Sequence, residues 1–378
     1  MRLLKFLLRY FPPGIALEYT QGGDVKTKMI DLLDLTATTD IKALARSIKA
    51  AEPVITESVM DQLEETLQKL QAKVCDNGVK RYYKYKTLQT HLLPLTNIAF
   101  DKLGKSRCLT GSYDRTCKVW DIDGGTELLT LKVSFFIIQQ FLVVAKFSPT
   151  QSRLATGSLD TTAKIFHVGT GQELGTLKGH TGEVIALHYN DNGNDIITGS
   201  FDSTISIWDT RTFKRTSVLI GHRGEISNCV YSFDCSLIAS SSLDKTAKLW
   251  DARMNSCLGT LLGHEDEVLD LSFDNKGQRL ASVSSDTTAR VWDITGDFRE
   301  TSVMEGHREE VSKVCFSPNG HQLLTSSLDR TAKLWSTETG RCAQTLSGHS
   351  DDVFACAFSY TGDTVVTASK DNTCMIWR

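Results

Sequence analysis

The sequence predicts an all-β repeat protein with a small α+β unit at its N-terminus. Two regularities predict the repeats, and a change of pattern predicts the unit. Trp208, Trp250, Trp292, Trp335 and Trp377 stand 42, 42, 43 and 42 residues apart. An Asp lies six residues before each of them, and a Ser or Thr lies four before each Asp. Upstream of residue 80 neither regularity holds, and helical and hairpin patterns replace it. A fixed period of about 40–45 residues marks an architecture in which every repeat is one supersecondary unit.

The period extends to seven units. Phe166 takes the next slot upstream, and Trp120 stands 46 residues before it. The Asp series is Asp114, Asp160, Asp202, Asp244, Asp286, Asp329 and Asp371. The hydroxyl series is Thr110, Thr156, Thr198, Ser240, Ser282, Thr325 and Thr367. In five units a Gly-His lies 22 residues before the Asp, giving His180, His222, His264, His307 and His349. The first unit has His91, preceded by Thr90, at 23. Runs such as "SLIAS", "TAKLW" and "EVLDLSF" are apolar and often β-branched. Asp, Gly and Asn turns separate them, which is the pattern of short antiparallel strands. A stretch such as "GHRGEISNCVYSFDCSLIASSSLDKTAKLWD" resembles the WD-repeat family. That resemblance implies a β-propeller, each unit a twisted four-stranded blade. The expected fold is an all-β propeller of WD repeats over 82–378, seven repeats by count, with a small α+β N-terminal domain over 1–80.

Ser, His and Asp together have the composition of a hydrolase triad. A hydrolase needs one such set in an open cleft, whereas here the set recurs beside a Trp in nearly every unit. A buried hydrogen-bond chain from Trp through Ser/Thr and His to Asp accounts for the repetition and leaves few polar groups unsatisfied. Two such chains are His222, Ser240, Asp244, Trp250 and His264, Ser282, Asp286, Trp292. No catalytic, cofactor-binding or metal-ligating residue is expected. The chain has no P-loop, no GxGxxG and no HExxH, and its ten cysteines show neither CxxC nor zinc spacing. Cys229, Cys315 and Cys356 fall inside apolar strand patterns, where a reduced thiol acts as a small hydrophobe. A net charge of −3 gives no electrostatic footprint for nucleic acid.

The chain stops at Trp377-Arg378, the end of the third strand of the last blade. "YYKYKTLQTH" (Tyr82 to His91) has the spacing of the strand that precedes each Gly-His. Residues 82–90 are therefore expected to complete the last blade and cover its free edge. The overlapping run "KRYYKYK" (Lys80 to Lys86) carries a second reading, as a basic and aromatic site for single-stranded nucleic acid or a membrane surface. The register favours the strand.

Unit two is irregular. Its stretch "LKVSFFIIQQFLVVAKF" (Leu131 to Phe147) makes it four residues too long, puts Ile138 in the histidine slot and leads to Phe166-His167 in place of Trp-Asp. One buried chain should be lost there. The stretch reads as a degenerate blade, as intron read-through after Lys-Val-Ser, or as an apolar patch for a partner. Gln139-Gln140 interrupts it, so it is too short to cross a bilayer, and no membrane insertion is expected.

In the N-terminal region "LLKFLLRY" has helical apolar spacing interleaved with Arg2, Lys5 and Arg9, and predicts an amphipathic helix ending at Pro12-Pro13-Gly14. "IALEYT" and "VKTKMID" flank Gln21-Gly22-Gly23-Asp24, a hairpin signal. Asp40 should cap a helix that carries Ile41, Leu44, Ala45 and Ile48 on one face and ends before Pro53. A second helix carries Val59, Leu63, Leu67, Leu70 and Val74.

Three residues after each Gly-His histidine stands an acid: Glu183, Glu225, Glu267, Glu310 and Asp352. On one rim they would form an acidic arc for a basic partner segment; the plainer reading is that they solvate a turn. "LLKFLLRYFPPGIALEY", "GSYDRTCKVWD", "GHRGEIS" and "ASKDNTCMIWR" resemble the WD-repeat dynein assembly factors over nearly the whole chain. That family usually carries eight units against seven here. The resemblance implies a non-enzymatic cytoplasmic adaptor without cofactor, acting as a monomer. It would link preassembled outer-arm axonemal dynein to intraflagellar transport complex subunits, at the ciliary base and along the axoneme. A rival reading comes from "WDTR" (Trp208 to Arg211) and "WDAR" (Trp250 to Arg253). They resemble the motif by which some WD proteins serve as substrate receptors of cullin-RING ubiquitin ligases.

Overall fold

The computed structural model describes residues 2–10, 13–21, 24–32, 35, 39–52, 54–74, 80–89, 91–100, 107–114, 116–132, 142–149 and 152–378. The chain divides into a first unit of residues 1–80 and a second that runs from Arg81 to Arg378 apart from the turn Pro318–Gly320.

The first unit is a three-stranded antiparallel sheet with two helices. Its strands β1 (Arg2–Tyr10), β2 (Pro13–Gln21) and β3 (Asp24–Asp31) pair in sequence order. The segment expected as an N-terminal helix is thus a strand. "LLKFLLRY" is so rich in Leu that it satisfies a period of two as well as 3.6, and the partner decides between them. Phe6 pairs with Leu17 and Leu8 with Ile15 across β2, with a bulge between Leu3 and Lys5. Leu3, Phe6 and Leu8 pack against the core, while Leu4 and Leu7 remain exposed. Gln21 pairs with Asp24 across the hairpin turn. The Asp40 carboxylate caps helix α1 (Ile41–Ala51) by accepting from Lys42 N at 2.9 Å and Ala43 N at 3.4 Å. Ile41, Ala45 and Ile48 of α1 and Leu63, Leu67 and Leu70 of α2 (Met60–Val74) meet Ile15 and Leu17 in one core. Val59 belongs to the 3-10 turn before α2, and Gly22, Gly23 and Pro53 lie outside the described residues.

The second unit is a ring. Among the described residues it holds seven four-stranded antiparallel sheets, six of them built from four successive strands. The first strands of the blades are Leu95–Phe100, Leu142–Phe147, Val184–Tyr189, Ile226–Tyr231, Val268–Phe273, Val311–Phe316 and Val353–Phe358. Each contacts the first strands of both neighbouring blades, and the last contacts the first, so seven blades close the circle. Apolar seams fill the spaces between blades. Trp208 of blade three, for example, is 1% exposed among Ala155, Ile165 and Leu177 of blade two. A buried Trp removes roughly 200 Å² from water, worth about 5 kcal/mol at ~25 cal/mol per Å².

The seventh blade takes its fourth strand from the other end of the sequence. Strand β4 (Lys84–Gln89) pairs antiparallel with Thr373–Trp377, with Leu88 opposite Cys374 and Lys86 opposite Ile376. Tyr83 N donates to Arg378 O at 2.7 Å, and Arg378 N returns a bond to Tyr83 O at 2.9 Å. Tyr82 is 2% exposed, and its hydroxyl donates to Gly362 O at 2.7 Å. Its backbone is held on both sides by the Gln344 amide, at 2.9 and 2.6 Å. Sequential blades need only local pairing. This one needs the two ends of a ring of about 300 residues to meet, and β4 supplies that joint.

Candidate docking site

The repeated polar residues assemble into one chain per blade. Trp Nε1 donates to the Ser or Thr hydroxyl, the hydroxyl meets His Nε2, and His Nδ1 meets the Asp carboxylate. In blades three to seven the His–Asp separations are 2.8, 2.9, 2.7, 2.8 and 3.0 Å. The His–hydroxyl separations are 2.8 Å in all five. The Trp–hydroxyl separations are 2.8 Å in four and 3.0 Å in the seventh. Blade one has the same chain through His91, at 2.7, 2.9 and 3.0 Å, despite its extra residue. An indole can only donate and a carboxylate can only accept. The two ends set the direction of the chain: the indole N–H donates to the hydroxyl, and the His Nδ1–H donates to the carboxylate.

The Asp does more than end the chain. Asp286 also accepts from Thr288 N at 2.9 Å, Thr288 Oγ1 at 2.6 Å and Glu265 N at 3.0 Å. These bonds hold a turn whose next residue is left-handed: Thr161, Ser203, Lys245, Thr287, Arg330 and Asn372 have φ between 64° and 70°. The glycine of Gly-His lets the indole lie against the backbone, since a Cβ on Gly221 would stand 3.0 Å from Trp250. Burial raises the carboxyl pKa of Asp244, but the bonds from Thr246, Arg223 N and His222 outweigh it and bring the group down to about 2. Burial lowers the His222 pKa more than Asp244 raises it, so the ring is held neutral. The hydroxyls of Ser240 and Ser282 are 0% exposed, which keeps substrate from reaching them. Blade two lacks the histidine chain among the described residues, and the Thr156 hydroxyl turns to Lys164 O at 3.5 Å. Ile138 lies outside the described residues.

The five acids of the rim occupy one repeated position, the residue before the first strand of blades three to seven. The carbonyls of Glu183, Glu225, Glu267, Glu310 and Asp352 each accept from the turn between second and third strands, at 2.9–3.0 Å. Their backbones are thus fixed, and Glu225, Glu267 and Glu310 point exposed carboxylates outward. The arc is interrupted by bases: Lys370 pairs with Asp352 at 3.0 Å, and Lys245 with the neighbouring Asp266 at 3.4 Å. In the two Trp-Asp-x-Arg segments the Asp caps the turn to the fourth strand. Asp209 accepts from Arg211 N, and Asp251 from Arg253 N, each at 2.7 Å. The Arg211 side chain is 71% exposed, and Arg253 is exposed as well.

Part of the basic run at Lys80–Lys86 serves the closure, while Lys80, Arg81, Tyr83 and Lys84 are exposed. Tyr82 is buried, Lys86 Nζ donates to Asp123 O at 2.7 Å, and the Arg378 guanidinium lies 4.6 Å from the centre of the Tyr85 ring. Eight cysteines are free thiols among the described residues, with Cys229 and Cys356 buried in strands and Cys315 half-buried. No helix among the described residues is long and apolar enough to cross a membrane.

One polar cluster escaped the sequence reading. Asp270, 1% exposed on the first strand of blade five, accepts from Lys313 Nζ at 2.8 Å and Val314 N at 2.9 Å in blade six. It also accepts from Asn228 in blade four. One carboxylate thereby clamps three blades. The signal available was an Asp in the middle of the apolar strand "VLDLSF".

The WD domain, G-beta repeat pattern matches residues 83–121, 142–167, 171–209, 213–251, 255–293, 298–336 and 340–378. The chain belongs to the WD-repeat family. Its first matched WD repeat begins one residue before the closing strand β4, and its second is the shortened one. Curated relatives named "Dynein assembly factor with WD repeat domains 1" are similar over 132 residues. The Xenopus laevis protein is 54% identical, and those of Danio rerio and Homo sapiens are 52% identical. Each match covers 35% of this WD-repeat chain, a narrower span than the motifs at both ends suggest. The chain spans 32% of the length of each of these relatives.

Proposed function

We propose that the protein is a non-enzymatic adaptor in axonemal dynein assembly. It links preassembled outer-arm dynein to intraflagellar transport for delivery into cilia, working as a monomer in the cytoplasm, at the ciliary base and along the axoneme. The observation that carries this reading is the fate of the repeated polar residues. The repeated His, Asp and Ser/Thr of six blades are spent on holding turns, so at these positions the ring offers surfaces rather than reacting groups. The shared name of the relatives supplies the partner class. Affinity purification of the tagged full chain from ciliated cells should co-purify axonemal dynein and transport-train subunits. Recovery of ligase adaptor and cullin subunits instead, lost on Arg211→Glu with Arg253→Glu, would establish the receptor reading.

The rim acids form the docking surface for a basic segment of one of these partners. Glu225→Lys combined with Glu310→Lys should weaken that partner at least tenfold and steepen no other interaction. The measurement is a titration of purified partner at two salt concentrations, because exposed charge pairs are screened within about 8–10 Å at physiological ionic strength. Unchanged affinity would remove the rim from the interface.

A further inference from the structure

The seam between blades one and two differs from all the others at one point and from some of them at two more. The first is the tryptophan. At the remaining seams Trp120, Trp208, Trp250, Trp292, Trp335 and Trp377 of the following blade are buried. Here Phe166 is half-buried, and among the described residues only Leu109 and Leu154 are buried in the seam's apolar cluster.

The second point is an aromatic plug. At two other seams a Phe in the turn of the following blade lies on a glycine of the preceding blade's fourth strand. A Cβ on Gly175 would meet the Phe213 ring at 2.6 Å, and one on Gly259 would meet Phe298 at 2.4 Å. At the first seam the turn position is Gly171, with nothing within 4 Å of a built Cβ. The fourth-strand position is Leu129, which is 41% exposed beside the 46% exposed Leu128. The third point is an arginine bridge. Arg153 reaches Thr210 O at 3.1 Å, and Arg279 reaches Thr337 Oγ1 at 3.3 Å, each in the next blade. The equivalent Arg107 faces Val168, is exposed, and has no hydrogen bond or ion pair among the described residues. The carboxylate of Asp121, opposite Arg107 in the strand register, accepts from Gly124 N at 3.0 Å.

What remains is an open cavity of about 490 Å³, lined among the described residues by Arg107, Leu109, Leu128, Leu129, Phe147 and Val168, among others. Its size falls within the range of roughly 300–1,000 Å³ typical of ligand sites. Its wall is apolar with a single unpaired cation. We propose that this groove binds a protein segment presenting an aromatic side chain beside an acidic residue. The ring takes the place that Phe213 and Phe298 fill in their own seams, and the carboxylate pairs with Arg107. The proposal does not rest on the dynein reading.

The test uses the full chain and a fluorescein-labelled peptide, Gly-Ser-Asp-Asp-Phe-Asp-Asp-Ser-Gly, titrated by polarisation. The wild type should bind it at least tenfold more tightly than the same peptide with Ala for Phe, or with Lys for the four Asp. Leu129→Gly with Gly171→Phe installs the internal plug. The turn tolerates it, since Phe213 and Phe298 sit at the same left-handed position with φ of 57° and 54°. This double variant should lose at least nine-tenths of the affinity while keeping its thermal midpoint. Arg107→Glu should reverse the preference towards the Lys-flanked peptide. Equal affinity for the Phe and Ala peptides, no binding up to about 1 mM, or an unchanged preference in Arg107→Glu would overturn the proposal. If the double variant fails to fold, the arginine variant alone decides.

Discussion

Deletion of residues 82–89 should abolish the cooperative fold of the ring. The purified product should elute as soluble aggregate, lose its near-UV signal from buried Trp, and show no sharp thermal transition. The deletion leaves the strand Thr373–Trp377 as an exposed, apolar edge, a template for pairing with another chain. It also orphans the Gly362 carbonyl and both ends of the Gln344 amide, which Tyr82 satisfies. The places of Leu88 and Tyr82, 6% and 2% exposed, become cavities in the seams on either side of blade seven. Two large side chains at about 2–3 kcal/mol each and several hydrogen bonds at about 1 kcal/mol each sum to on the order of 10 kcal/mol. That is comparable to the whole stability of a typical domain, about 5–15 kcal/mol. A milder probe keeps the chain length: Leu88→Asp should bury an unpaired carboxylate against Ile98 and Trp120 and lower the thermal midpoint sharply. A monomeric deletion product with an unchanged midpoint would show that six and three-quarter blades close without β4.

The legibility of the fold follows from repetition. When one residue type recurs at one offset, a single physical role explains all copies more simply than a catalytic triad does. His91 shows the tolerance of this logic. It lies one residue out of step, yet its ring reaches Asp114 at 2.7 Å, because the extra residue falls in the connection rather than in a strand. Features that occur once have no such redundancy. In β1 the Leu-rich run fits two periods, and only the pairing of Leu8 with Ile15 chooses between them. Asp270 is only an Asp in the middle of an apolar strand until blades four and six are placed beside it. The Arg107 groove is the sharpest case. It arises from substitutions at three separate positions, Phe166, Gly171 and Val168, that the fold brings to one seam. Of these, Phe166 stands out in sequence as the residue in the tryptophan slot, while Gly171 and Val168 carry no signal of their own.

Asp286→Ala should destabilise the ring by about 3–5 kcal/mol, because it removes several hydrogen bonds to a charged group at about 1.5–3 kcal/mol each, whereas Asp160→Ala should cost about 1–2 kcal/mol. The two positions are equivalent in register and differ in what they hold. Asp286 keeps His264, Thr288 and Glu265 N satisfied, and its side chain is only 7% exposed. Its removal leaves a buried imidazole N–H, and through it the Ser282–Trp292 pair, without an end. Among the described residues the Asp160 carboxylate holds Thr162 alone, at 2.9 and 2.5 Å. Acid should erase the difference. His91, His222 and His349 are held below the usual histidine range by burial. Although burial works against them, hydrogen bonds from His and Thr bring Asp244 and Asp371 down to about 2, and Asp286 and Asp329 further still. Every one of these groups binds fewer protons folded than unfolded, so stability falls as protons are added. The histidines begin the loss as pH drops below about 6.5, the unfolded histidine value. The carboxylates add roughly 1–2 kcal/mol apiece as pH falls from about 4 to 2. Thermal midpoints followed by Trp fluorescence should therefore be level above pH ~7, decline gently to ~4 and steeply below it. The gap between wild type and Asp286→Ala should narrow over the steep part, because the wild type then loses the same carboxylate to protonation. An equal cost for Asp160→Ala and Asp286→Ala, or a gap that stays constant down to pH ~2, would mean that the polar chains do not hold the blades.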